Sequence, residues 1–195
     1  MSIVHTKSFP APPVRLREIL RYASAVQGEL GIDILIDSCL SEAQDILEYK
    51  VCFCELECHV KDGVCDFGHF SLNSADLAKN LASSRSVILF GATVGVGLDR
   101  LINKYSSISP SRALIMQAIG AERIEALCDA FCKELEEERK ISLRPRFSAG
   151  YGDLPLDAQK QIFDTLCPQK NIGLFLNASQ SMSPSKSVTA FAGIK

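Results

Sequence analysis

The sequence predicts an α+β fold, with strands of antiparallel character and long amphipathic helices in separate stretches of the chain. Three observations carry this. Residues 51–60 (Val-Cys-Phe-Cys-Glu-Leu-Glu-Cys-His-Val) alternate with period two and pass through Asp62-Gly63 into a second strand pattern over residues 64–72, as a hairpin does. Residues 86–90 (Ser-Val-Ile-Leu-Phe) are a bare apolar run that fits a buried strand. After Ser109-Pro110, Leu114, Ala118, Ala121, Ile124, Cys128, Phe131 and Leu135 recur at spacings of three and four, the stripe of one long helix.

The chain of 195 residues is 47% hydrophobic and 23% charged, which suits a folded domain and argues against disorder. Its net charge of -2, with basic residues spread out, gives no footprint for nucleic acid. The first ten residues lack the apolar centre of a signal peptide, and residues 87–98, the most apolar run, are too short to span a bilayer. The expected location is the cytoplasm, without membrane contact. There the eight cysteines are expected as reduced thiols. Cys52, Cys54 and Cys58, with His59, Cys65 and His69 nearby, invite a metal reading, but no C-x-x-C pair occurs. Alternation puts Cys52, Cys54, Leu56, Cys58 and Val60 on one face and Glu55, Glu57 and His59 on the other, so a half-buried strand using cysteine as a small hydrophobe is expected and no metal site.

In chain order, residues 1–13 are expected as an irregular arm, because Pro10, Pro12 and Pro13 interrupt pairing, and residues 14–195 as a single domain. Leu16, Ile19 and Leu20 give a helix over residues 14–22. After a break at Gly28 to Gly31, a second helix over residues 32–49 buries Leu35, Cys39, Leu40, Ala43 and Leu47. Asn73 or Ser74 caps a short helix ending near Leu81. Acids at Glu122, Glu125, Asp129, Glu134, Glu136, Glu137 and Glu138 line the long helix, as a solvated face or with one of them turned toward the loop that follows. Asp153 is placed to cap a helix that ends near Cys167-Pro168, and residues 172–176 and 187–194 read as strands.

Two glycine-rich stretches are candidate sites. Gly91-Ala-Thr-Val-Gly-Val-Gly-Leu-Asp-Arg100 joins a strand to a helix, either as a phosphate-binding turn or as a close-packed one. It matches a dinucleotide fingerprint poorly, because Arg100 stands where a third glycine belongs. The second, Arg144-Pro-Arg-Phe-Ser-Ala-Gly-Tyr-Gly-Asp153, combines a guanidinium fork, two glycines, a tyrosine and a carboxylate. It can hold a small zwitterion, or form a structural turn in which Arg146 pairs with Asp153 or Glu138. No nucleophile-and-base arrangement is evident, since His5, His59 and His69 lie on the arm and on strands.

Arg146-Phe-Ser-Ala-Gly-Tyr-Gly-Asp-Leu-Pro-Leu156, Ile172-Gly173 and Met182-Ser-Pro-Ser-Lys-Ser-Val-Thr-Ala190 together resemble the activation domain of cobalamin-dependent methionine synthase, in its short stand-alone form. Looser similarity runs through Glu18-Ile-Leu-Arg-Tyr22, Gly91-Ala-Thr-Val-Gly95 and Ile124-Glu-Ala-Leu-Cys128. The resemblance implies a twisted antiparallel sheet with flanking helices, and a domain that presents S-adenosylmethionine for reductive methylation of cob(II)alamin. It implies as partners methionine synthase or another corrinoid protein, carrying the cobalamin, and a flavodoxin-type electron donor. Carried over by residue, Arg146 grips the methionine end, Ser148 and Ala149 lead to Gly150, which admits the ligand, and Tyr151 faces the sulfonium or the corrin. Ala192 and Gly193 stand where the family has an aromatic pair, so their contact would be through backbone. Lys140 stands where the family has an acid, with Glu138 nearby, and the family's N-terminal aspartate has no match. The alternative is a docking module for corrinoid proteins that has lost the cofactor.

Overall fold

Cys52, Cys54 and Leu56 on one face and Val51 and Phe53 on the other make residues 50–57 a strand that the sheet buries over its first half. The structure, a computed structural model, describes residues 3–25 and 31–195. Its elements are β1 (His5–Ser8), α1 (Leu16–Ala23), α2 (Ile32–Ala43), β2 (Lys50–Glu57), β3 (His59–Lys61), β4 (Val64–Asp66), β5 (Ser71–Asn73), α3 (Ala75–Leu81), β6 (Ser86–Thr93), α4 (Gly97–Ile108), α5 (Pro110–Arg139), a 3-10 turn (Leu156–Ala158), α6 (Gln159–Leu166), α7 (Pro168–Ile172), β7 (Phe175–Leu176), β8 (Met182–Ser183) and β9 (Ser187–Gly193). The main sheet runs β1-β2-β6-β9, antiparallel throughout, beside a three-stranded sheet β3-β4-β5 and the pair β7-β8. The mixed helix and antiparallel-sheet class agrees with the sequence reading. No helix among the described residues is long and apolar enough to cross a membrane.

Helices cover both faces of the main sheet. On one, Val51, Phe53, Ile88, Phe90 and Ala192 pack with Ile19 of α1, Ile36 of α2, Leu98 of α4 and Ile119 and Phe131 of α5. On the other, Cys52, Cys54, Leu56, Val87, Leu89 and Phe191 pack with Leu77 of α3 and with Ile162 and Leu166 of α6. β2 is therefore alternating, as expected, but buried on both sides over residues 51–54 rather than half-buried. Each Val, Leu, Ile or Phe side chain among these contributes about 1.5–3 kcal/mol by leaving water.

Several expectations are corrected. Residues 5–8 of the N-terminal arm form a strand, registered from His5 opposite Phe53 to Ser8 opposite Lys50, and the prolines only end it. The break at residues 28–30 lies outside the described residues, while α2 stops at Ala43 and leaves Leu47 in a connection to β2. Residues 64–72 divide into two strands where Gly68 takes φ +86° and donates its N–H to Asp66 Oδ1. Leu114 is exposed while Ala113, Ile115 and Met116 around it are buried, so it lies on the outer face of α5. Residues 168–172 are helical, so Ile172 starts no strand. Asp62-Gly63 forms the expected hairpin turn, with φ of +50° and +81°.

Gly120 lies mid-helix in α5, where a Cβ would meet Leu98 Cδ2 at 2.5 Å and Lys186 Cγ at 2.7 Å. This lets α4 and the segment entering β9 close on α5, fixing the helix that carries the site described next.

Candidate functional site

After α5 ends at Lys140, whose φ of +56° turns the chain back, residues 143–147 run alongside β9. Arg144 N donates to Gly193 O at 2.8 Å, and Phe147 and Phe191 exchange backbone hydrogen bonds at 2.9 and 2.8 Å. The extended backbone points Arg146 and Phe147 to opposite sides. Gly150 then takes φ +85°, and a tight turn closes through Tyr151 N to Ser148 O at 3.2 Å and Gly150 N to Leu154 O at 2.9 Å. Its far end is pinned by Asp153, which does not cap the helix that follows it. Its carboxylate accepts from Ser74 Oγ and from the N–H groups of Ala75, at 2.7 Å, and Asp76, at 3.2 Å, at the N-terminus of α3. The Ser74 hydrogen bond, with these amides, holds the Asp153 carboxyl below its ordinary range.

Arg146 points at α5. Its Nη1 donates to Asp129 Oδ1 at 2.6 Å and its Nη2 to Glu125 Oε2 at 2.7 Å, so neither Asp153 nor Glu138 is its partner. Glu125 and Asp129 are one helical turn apart on the same face. Burial works against the guanidinium's charge, and Cys128, Asp129 and Glu125 together outweigh it, leaving the pKa raised. Asp129 uses its other oxygen, Oδ2, to accept from Arg15 Nη1 at 2.7 Å. Arg15 also donates from its backbone N and its Nε to Glu122 Oε1, both at 3.2 Å. Arg123 completes the cluster, bonded to Glu122 and to the carbonyls of Pro12 and Pro13. Three arginines thus interlock with Glu122, Glu125 and Asp129. The expected solvated face is wrong for Glu122, which is fully buried.

The loop divides two grooves. One, of about 500 Å³, is lined by Asp129, Cys132, Glu136, Arg144, Arg146 and Lys195. The other, of about 480 Å³, is lined by Asp76, Lys79, Asn80, Phe147, Tyr151 and Gly152. Tyr151 is 72% exposed, its ring edge-on to Phe147 at 6.0 Å. Ser148 and Ala149 are half-buried in the turn between the grooves, and Gly150 is exposed at its tip. Arg146 and Tyr151 therefore serve opposite sides of one loop. Ala192 and Gly193 line neither groove: Ala192 is buried on the α5 side of the sheet, and a Cβ on Gly193 would meet Ser84 Oγ at 2.5 Å. Lys140 is exposed at the end of α5.

Sequence reasoning allowed that one helix acid faces the loop but did not single out Glu125 and Asp129, and it missed Arg15 as a member of this site. The signal available was the spacing of the two acids, which puts both on one face of the helix that the loop must fold back against.

The turn from Gly91 to Gly97 is close-packed. A Cβ on Gly97 would lie 2.7 Å from the Ile46 carbonyl oxygen, and one on Gly95 3.1 Å from Glu48 Cβ, so residues 46–48 fill the space a phosphate needs. Asp99, in the first turn of α4, adds a negative charge there and is held by Ser185. Among the described residues, no group of three or more His, Cys, Asp or Glu is placed to hold a metal ion.

No family profile and no curated protein sequence matches the chain. Among solved structures, it is similar to a crystal structure of the MetH reactivation domain bound to AdoHcy, with a TM-score of 0.71 and 13% sequence identity. The match covers 97% of this chain and 78% of that one. The chain shares the fold of that domain.

Proposed function

We propose that the chain binds S-adenosylmethionine and presents it to a cobalamin carried by a partner protein, serving reactivation of a methionine synthase or another corrinoid methyltransferase. The observation that carries the reading is the cluster of Arg146 with Glu125 and Asp129 beside an open groove. The amino-acid end of the ligand is a zwitterion, and a cation next to two carboxylates is its electrostatic complement. The AdoHcy bound to the structural neighbour, a compound with the same amino-acid end, is consistent with it.

The residues present fit this group at its amino-acid end. Arg146 spends one N–H of each terminal nitrogen on Asp129 and Glu125, and its remaining donors are left for a ligand carboxylate. Asp129 and Glu125, with side chains 49% and 40% exposed, have lone pairs to accept from a ligand ammonium. When bound, S-adenosylmethionine supplies the methyl group and the partner's reduced cobalt receives it. The chain's own part is placement. The loop is anchored at 144–147 on β9 and at Asp153 on α3, so Arg146 is held in position before any ligand arrives. Tyr151, exposed at the loop tip, offers an aromatic face to the incoming corrin. A flavodoxin-type donor supplies the electron.

Reconstitution tests the reading: a methionine synthase lacking its own reactivation domain, inactivated to the cob(II)alamin state, is mixed with this chain, a reductant and S-adenosylmethionine. Recovery of turnover that depends on both chain and S-adenosylmethionine is expected. No recovery, with the partner pulled down equally well without the ligand, favours a docking module instead. That second reading draws on the internal ion pairs that already occupy Arg146.

A further inference from the structure

The N-terminal arm reaches the same carboxylate that the ligand needs. Arg15 follows Pro12 and Pro13, whose carbonyls are fixed by the buried Arg123, and its own backbone N–H is tied to Glu122. Its guanidinium is thereby delivered to Asp129 Oδ2, while Arg146 holds Oδ1. Asp129 is also a wall shared by two grooves. One opens beside Arg146, and the other, of about 470 Å³, lies against Pro12, Pro13, Arg15, Ala126, Ala130 and Lys133.

We propose that Arg15 is a specificity residue that competes with the α-ammonium of the ligand for Asp129, coupling the N-terminal arm to occupancy of the site. The proposal rests on the reading of Arg146 and Asp129 as the receptor for the amino-acid end. A carboxylate between two guanidinium groups has most of its charge neutralised, and a third cation approaching it is repelled by Arg15. The arm therefore sets a threshold: a ligand ammonium gains full use of Asp129 only when Arg15 swings away. Glu122 is placed to keep Arg15 after that release, since it already accepts from its backbone N and its Nε. Ligands without the amino-acid end make no such demand.

The test is calorimetric titration of the whole chain and of Arg15→Met with two probes, S-adenosylhomocysteine and 5′-methylthioadenosine, which lacks the amino acid. Methionine keeps the apolar stem and the backbone bond to Glu122 while removing the charge. Arg15→Met is expected to bind S-adenosylhomocysteine about two- to fivefold more tightly, the range set by loss of a half-exposed ion pair, with 5′-methylthioadenosine unchanged. Equal or weaker binding of S-adenosylhomocysteine by the variant, or equal tightening for both probes, overturns the role of Arg15 alone. Failure of the parent and variant alike to bind S-adenosylhomocysteine overturns the ligand reading and this proposal with it. Should Arg15→Met unfold, Arg15→Gln replaces it, and the same comparison of the two probes decides.

Discussion

Replacing Arg123 by methionine probes the joint between the N-terminal arm and α5. Arg123 is 2% exposed and makes four hydrogen bonds: Nε and Nη2 to Glu122 at 2.5 and 2.7 Å, Nη1 to Pro12 O at 2.6 Å, and Nη2 to Pro13 O at 2.8 Å. Methionine fills similar space and donates nothing. Glu122, wholly buried, keeps only Arg15, and the two proline carbonyls lose their donors. Removing one partner of a buried pair costs about 3–5 kcal/mol. In a domain of this size that lowers Tm by about 6–20 °C. Thermal and urea unfolding, followed in parallel, measure it, and limited proteolysis near residues 12–15 should speed up. The double variant Glu122→Leu with Arg123→Met removes both charges and should recover more than half of the loss, because a matched apolar pair is often neutral. A loss below about 1 kcal/mol for Arg123→Met, the level of an ordinary surface pair, would refute the reasoning.

Gly97→Ala pushes a Cβ to 2.7 Å from the Ile46 carbonyl, and should cost about 1–3 kcal/mol in urea unfolding; an unchanged midpoint contradicts the close-packed turn. Burial, first among the causes, pushes the thiols of Cys52 and Cys65 up to about 12 and those of Cys54 and Cys58 up to about 11. An unfolded chain gives up these protons near pH 8.5, so stability is full below about pH 8.5 and is lost as pH rises toward the folded values. The urea midpoint should therefore fall steadily as pH rises from about 8.5 to 10.5, and a midpoint flat across that range contradicts it. Asp153→Ala removes the acceptor for the amides that open α3, and hydrogen exchange at Ala75 and Asp76 should rise; protection equal to the parent's rules the cap out.

Patterns that depend on neighbours in sequence were readable from the chain alone. The alternation in β2, the stripe of α5 and the positive-φ turn at Asp62-Gly63 follow from local periodicity and glycine chemistry. What failed depends on distant partners. Asp153 precedes a helix and looks like its cap, yet it serves α3, whose first residue lies 78 positions earlier. Glu122 has the look of one member of a charge run, and only the arrival of Arg15 and the Arg123 contacts makes its burial affordable. β1 was hidden because three prolines sit just beyond it, and a strand of four residues leaves little pattern. For the site, the loop and its arginine were legible, while its partners Glu125 and Asp129 were not, since an acid on a helix carries no mark of what will face it. That Arg146 and Tyr151 line separate grooves was not legible either: Arg146 and Phe147, consecutive on extended backbone, point apart, and the turn at Gly150 keeps the tyrosine on the Phe147 side.

Binding of S-adenosylhomocysteine to the parent chain and to Arg146→Ala, by titration calorimetry, tests the central claim most directly. The account predicts saturable binding by the parent and a loss of at least about tenfold in the variant, the scale of a charge-assisted hydrogen bond to a carboxylate. No heat at millimolar ligand, or equal affinity in Arg146→Ala, contradicts it.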